Sequence, residues 1–368
     1  MSPSRLHQLS DLGQSAWIDF LSRKMIHEGE LERLIREDAI VGITSNPTIF
    51  QKAIAAGDAY DEQLREVLEH EEDGKEVFLA LASRDVADAC DMLRDIWERT
   101  GGVDGRVSLE VDPELAFDTD ATSTEAQRLW DMVDRPNLFV KIPATEPGLP
   151  AIENSIAAGI PINVTLIFSL DRYRAVAEAY IRGLERLVES GGDPSKVPSV
   201  ASFFVSRVDT EADKRLDAIG GHDELKGKLA IANAKLAYQA YHEIFSGERW
   251  EILAAKGAKT QRCLWASTST KNPAYQDTMY VDSLIGPDTV NTMPPETIEA
   301  FQDHGTVALT LEQDLESAHR LLDQLAEAGV DYDDVVRVLE EEGVQKFADS
   351  FKELLEDVKA KRDALAHV

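Results

Sequence analysis

NLFVKIPATEPGLPAIENSIAAGIPINVTLIF, residues 137–168, reads as a strand, a helix and a second strand in immediate succession. NLFVKIP (137–143) and IPINVTLIF (160–168) are short and nearly continuous in apolar residues, as expected of parallel strands covered on both faces. Between them, LPAIENSIAAG (149–159) puts Leu149, Ile152 and Ile156 on one helical face and ends in Gly159, a C-terminal cap.

The same alternation extends in both directions. SAWIDF (15–20), AIVGITS (39–45), GRVSLEV (105–111), SVASFFVS (199–206), QRCLWAS (261–267) and TMYVDSL (278–284) complete a set of eight strand candidates. In DVADACDMLRDIW (85–97), Val86, Ala89, Leu93 and Trp97 form a helical stripe. The end of the chain reads as helix only, through Leu315, Leu322 and Leu325 and then Phe347, Phe351, Leu354 and Val358. Eight strand–helix units followed by extra helices predict an α/β fold, a (β/α)8 TIM barrel with additional C-terminal helices. The expected organisation is one barrel domain over 1–368, with 312–368 as the appended helices; their pattern does not say which end of the barrel they cover. An open doubly wound sheet is the alternative, and no GxGxxG follows the first strand to support it.

Composition narrows the function. The formal net charge is -30, so nucleic acid and anionic membranes are expected to be repelled. No apolar stretch is long enough for a membrane helix, and the first residues have no apolar signal core. Two cysteines, Cys90 and Cys263, make no disulfide framework and fit a reducing, cytoplasmic setting. The eight histidines show no metal-ligand spacing, so no metal is expected. An anionic substrate would meet an opposing global field and would need local cations to hold it.

In a barrel, reacting groups lie at the C-terminal ends of the strands. Polar residues that interrupt apolar runs there are Asp19, Asn46, Glu110, Lys141, Asn163, Thr165, Ser202 and Ser267. Lys141 stands out, because Leu138, Phe139, Val140 and Ile142 make its strand a dry place for a lysine. Desolvation disfavours an ammonium, and a neutral lysine amine attacks carbonyls. The alternative is a stem that carries its charge out to solvent. Asp19 and Glu110 form a candidate acid–base pair, or else they are salt-bridge partners of Lys141 or an arginine. Asn163 and Thr165 share one strand face and suit hydroxyl recognition, or they are a satisfied polar pair within the barrel. Ser202 and Phe204 repeat that spacing, with Phe204 readable as core. Arg207 and the STSTK run ending at Lys271 follow late strands, where phosphate sites form. For Arg207 the alternative is an ion pair with Asp209 or Asp213. The STSTK run lacks the glycines of a P-loop.

ITSNPTIF, SLEVDP, LFVKIPAT, INVTLIFS, ASFFVSRVD, LWASTSTKNPAY and DTMYVDSLIGPDTVNTMP together resemble the motifs of bacterial transaldolases, particularly the longer actinobacterial kind. The resemblance runs in order from about Asp11 to the C-terminus. It implies a class I aldolase barrel in which Lys141 on the fourth strand forms a Schiff base with a sugar phosphate, with no cofactor. It implies Asp19 as acid–base for the C3–C4 bond, and Glu110 acting through a water held with Thr165. Asn46, Asn163 and Ser202 would hold donor hydroxyls, and Arg207 and Ser267 the phosphate. Small fructose 6-phosphate aldolases are similar but carry glutamine and tyrosine where this chain has Glu110 and Phe204. One departure stands out. Many transaldolases have a second phosphate arginine where this chain has Ser269, and Lys271 is the expected substitute. Monomer and homodimer both remain compatible with the sequence.

Overall fold

The computed structural model describes residues 4–365; the outermost residues of the 1–368 expectation, 1–3 and 366–368, lie outside the described residues. Eight strands form a closed barrel in chain order: β1 (Gln14–Ile18), β2 (Ile40–Ile43), β3 (Arg106–Glu110), β4 (Leu138–Pro143), β5 (Ile162–Ile167), β6 (Ser199–Phe204), β7 (Arg262–Ala266) and β8 (Thr289–Met293). Neighbours are parallel, and β1 closes on β8 with Gln14 opposite Thr289 and Ile18 opposite Met293. Every strand is followed by helix on the outside, the arrangement that buries both faces of a parallel sheet.

Two expectations need correction. TMYVDSL is not a strand: Met279–Asp282 is one helical turn, and the eighth strand is Thr289–Met293. Tyr280 is buried there with its hydroxyl donating to Asp209 (2.8 Å), so the short run is fastened to the helix after β6 instead of to the sheet. The helical stripe of 85–97 is also interrupted. One helix ends at Met92 and a second begins at Arg94, so Ile96 is buried and Trp97 is not.

Alternation along each strand sorts side chains between the barrel interior and the helical layer. On β4, Phe139 and Lys141 share the inner face. On β1, Trp17 fills the interior, its ring 6.2 Å from that of Phe139 and its indole N–H donating to Asp104 (3.2 Å). Gly42 on β2 makes the space, because a Cβ there would overlap the indole of Trp17. Gly42→Ala is expected to destabilise the fold by about 2–3 kcal/mol, read as a lower Tm in thermal unfolding. An unchanged Tm would show that the indole has room to move aside.

Cations close the bottom of the barrel. Arg106 lies 4.8 Å over the Phe139 ring, and Arg262 donates to Ser15 (2.9 Å) and Asp104 (3.0 Å). Access to the interior is therefore from the C-terminal mouth. The long terminal helix, Tyr332–Leu365, crosses that mouth, which answers the question its pattern left open. Gly343 lets it approach closely, since a Cβ there would sit 3.1 Å from Leu166 at the end of β5. Thr48 donates to Ser350 (2.8 Å) and Gln51 to Asp357 (2.6 Å), strapping the helix along Pro47–Ala55.

Candidate active site

A cavity of about 430 Å³ opens at the C-terminal mouth. Its walls include Asp19, Asn46, Lys141, Thr165, Ser202, Phe204, Arg207, Ser267 and Lys271, so nine candidates from the sequence converge on one space. The other two, Glu110 and Asn163, are buried behind its floor beside Lys141. Register explains this, because Glu110 on β3, Lys141 on β4 and Asn163 on β5 stand opposite one another in adjacent strands.

Lys141 does not carry its charge to solvent: its side chain is 5% exposed and that of Glu110 is 2%. Its Nζ lies 3.3 Å from Glu110 Oε2 and donates to the Ser45 carbonyl at 3.2 Å. The acid–base and salt-bridge readings of Glu110 thus meet in one contact. Beyond this ion pair, neither Glu110 oxygen has a hydrogen-bond partner among the described residues. The buried Thr165 hydroxyl lacks one too. Asn163 is satisfied within the barrel, donating to Ser108 (3.0 Å) and accepting from Ser202 (2.7 Å).

Burial pushes the carboxyls of Asp19 and Glu110 above their ordinary range, and Lys141 opposes the rise in both. Thr44 donates to Asp19 Oδ1 at 2.6 Å, so its contact with Thr292, also 2.6 Å, runs with Thr292 as donor. The hydroxyl chain Thr292–Thr44–Asp19 therefore points its protons at the carboxylate and favours its charged form.

Arg207 pairs with neither Asp209 nor Asp213. Asp209 accepts from the Ala230 amide (2.7 Å) and Tyr280, and Asp213 from the Gly227 amide (2.9 Å) and Tyr275. The guanidinium instead lies between aromatic rings, 5.0 Å from Phe204 and 5.8 Å from Phe347, with burial pushing its pKa down. Phe204 is thus a wall of the cavity as well as core. Ser267 has a left-handed backbone (φ 57), and its hydroxyl meets that of Ser206 at 2.8 Å. The two thiols lie elsewhere: Cys90 and Cys263 are buried, and burial pushes Cys263 up to about 12.

Thr44, Thr292, Lys52, Lys346 and Phe347 also line the cavity and were not singled out from the sequence. Thr44 shares the signature of the other candidates, a polar residue that ends an apolar run. Thr292 was lost with the misplaced eighth strand. Lys346 and Phe347 belong to a helix whose spacing speaks only of packing.

A profile described as transaldolase/fructose-6-phosphate aldolase matches residues 16–358. A transaldolase of Parafrankia sp. (strain EAN1pec) is 56% identical over 357 residues, covering 96% of this chain and 97% of the relative. Transaldolase 2 of Streptomyces coelicolor is 53% identical over 365 residues, covering 98% of each. A transaldolase of Mycolicibacterium paratuberculosis is 54% identical over 356 residues, with 96% and 95% covered. With that breadth of likeness over a closed barrel and a buried lysine at its mouth, the chain belongs to the transaldolase/fructose-6-phosphate aldolase family.

Proposed function

We propose that this chain is a transaldolase of the non-oxidative pentose phosphate pathway. It moves a dihydroxyacetone unit from sedoheptulose 7-phosphate or fructose 6-phosphate to glyceraldehyde 3-phosphate or erythrose 4-phosphate. The observation that carries this reading is Lys141, buried at the cavity floor with a carboxylate 3.3 Å from its nitrogen.

The Lys141 amine adds to the C2 ketone of the donor, and the carbinolamine loses water to give an iminium. Glu110, through a water shared with Thr165, moves the protons of that dehydration. Glu110 stands 3.3 Å from the Lys141 nitrogen, and the buried Thr165 hydroxyl has no hydrogen-bond partner, which supports this role. Asp19 then takes the C4 hydroxyl proton. The C3–C4 bonding pair flows into the iminium, leaving an enamine on Lys141 and releasing the aldose phosphate. The enamine attacks the acceptor aldehyde, Asp19 returns the proton, and water frees the new ketose. Asn46, Asn163 and Ser202 hold donor hydroxyls, Phe204 walls the cavity, and Arg207, Ser267 and Lys271 face the phosphate.

Incubation with fructose 6-phosphate alone, borohydride reduction and peptide mass mapping test the reading. A three-carbon adduct on Lys141 is expected. No lysine adduct on folded protein would overturn it. Release of free dihydroxyacetone without an acceptor would make the chain an aldolase that simply cleaves fructose 6-phosphate instead.

The hydroxyl chain gives a second test. Thr44→Val removes a hydrogen bond that lowers the Asp19 pKa, so that pKa rises further. The reaction needs charged Asp19, so the acid limb of the kcat–pH profile should move to higher pH, by roughly one unit or less. An unmoved limb, or one moved to lower pH, would remove Asp19 from the base role.

Among the described residues no helix is long and apolar enough to cross a membrane. With two buried free thiols, we assign the enzyme to the cytoplasm.

A further inference from the structure

Four cations line the mouth: Lys52, Arg207, Lys271 and Lys346. In a chain of net charge -30 this is a local reversal of sign. Among the described residues, none of the four is ion-paired with a carboxylate; Lys271 donates to the Ser269 hydroxyl at 2.7 Å. The carboxylates facing the same cavity are Asp19 and Glu296. Like charges gathered without partners destabilise one another, and a bound dianion would reverse that.

The terminal helix occupies a special place in this group. Phe347 covers the Arg207 guanidinium at 5.8 Å and lies the same distance from the Lys141 nitrogen. Its neighbour Lys346 projects into the mouth, and its ammonium is pushed down by Arg207 first, then by burial, Lys271 and Lys52. The helix turn at 346–347 is thus the one that meets Arg207. Gly343, one turn earlier, lets this turn come so close to the barrel.

We propose that Lys346 is the second cation on the substrate phosphate, alongside Arg207, so that the terminal helix supplies part of the substrate site. The inference rests on the sugar-phosphate reading above. Arg207 is held by the aromatic faces of Phe204 and Phe347 and has no hydrogen-bond or ion-pair partner among the described residues, while Lys346, next to Phe347 on the terminal helix, adds a point charge to the same cavity. Lys271 already donates to the Ser269 hydroxyl, which leaves Lys346 the less engaged of the two lysines.

The test compares Lys346→Met, Lys346→Arg and Lys271→Met with the unaltered full chain. Lys346→Met should raise KM for fructose 6-phosphate and the inhibition constant of inorganic phosphate by roughly 10- to 100-fold, the range of one charge-assisted hydrogen bond. Its kcat should change little. Lys346→Arg should restore most of the loss, and Lys271→Met should do less than Lys346→Met. Borohydride trapping of unphosphorylated dihydroxyacetone on Lys141 should be the same in all four proteins. Unchanged KM and phosphate inhibition in Lys346→Met would overturn the proposal, as would an equal loss of dihydroxyacetone trapping, which would mark a packing role. Failure of trapping in the unaltered chain would instead overturn the Schiff-base reading.

Discussion

Lys141→Ala is expected to abolish transfer, lowering kcat/KM by about 10⁴-fold or more, while sugar phosphates still bind. The asymmetry follows from where the contacts lie. The cations proposed to face the phosphate, Arg207, Lys271 and Lys346, lie outside the strands, whereas Lys141 is buried on β4, so removing it leaves the proposed anion site in place. Every proposed chemical step needs the covalent nitrogen, as electron sink and as tether for the three-carbon fragment. No other described lysine on the cavity wall can stand in, because Lys52, Lys271 and Lys346 are at the rim and not on a strand. The truncation also leaves Glu110 buried without its cation, so a loss of thermal stability should accompany it. Binding is checked by calorimetry with fructose 6-phosphate and transfer by coupled assay. Appreciable turnover would remove the central claim.

Asp19→Asn should separate two steps that share one lysine. The amide keeps the shape of the carboxylate and can still accept the Thr44 hydroxyl, so the local structure should hold. It cannot take the C4 proton. Dehydration to the iminium, assigned to Glu110 and Thr165, should proceed, while C3–C4 cleavage slows by about 10²–10⁴-fold. Borohydride should therefore trap the whole six-carbon ketose phosphate on Lys141 in place of the three-carbon fragment, and mass spectrometry distinguishes the two directly. A three-carbon adduct forming at the unaltered rate would show that another group breaks the bond.

These expectations rest on features that differ in how far the sequence exposed them. Lys141 was legible because burying a lysine among Leu138, Phe139, Val140 and Ile142 is costly enough to need a reason. Asp19, Glu110, Asn163 and Thr165 were legible for the same cause, as polar interruptions of apolar strands. Their alternative readings stayed open because spacing along a chain does not say what stands opposite. For Glu110 the barrel register supplied that neighbour, placing it directly across from Lys141, where an acid–base role and an ion pair share one contact. The eighth strand went astray because TMYVDSL and TVNTM are both short runs of similar character. Tyr280 meets a buried acceptor in Asp209, while Thr289–Met293 supplies the partner that β1 needs to close the ring.

Hydrophobic periodicity and the dryness of the strands were sufficient for the barrel, seven of its eight strands and the lysine at its floor. Both are local signals, set by which side chains can tolerate burial. Folding supplied what depends on elements far apart in the chain. It brought Thr292 through Thr44 onto Asp19, laid the terminal helix across the mouth, and placed Lys346 and Phe347 beside Arg207. An exposed lysine on an amphipathic helix looks the same in sequence whether it faces bulk water or an anion site. Only packing the helix through Gly343 onto the end of β5 gives it a side.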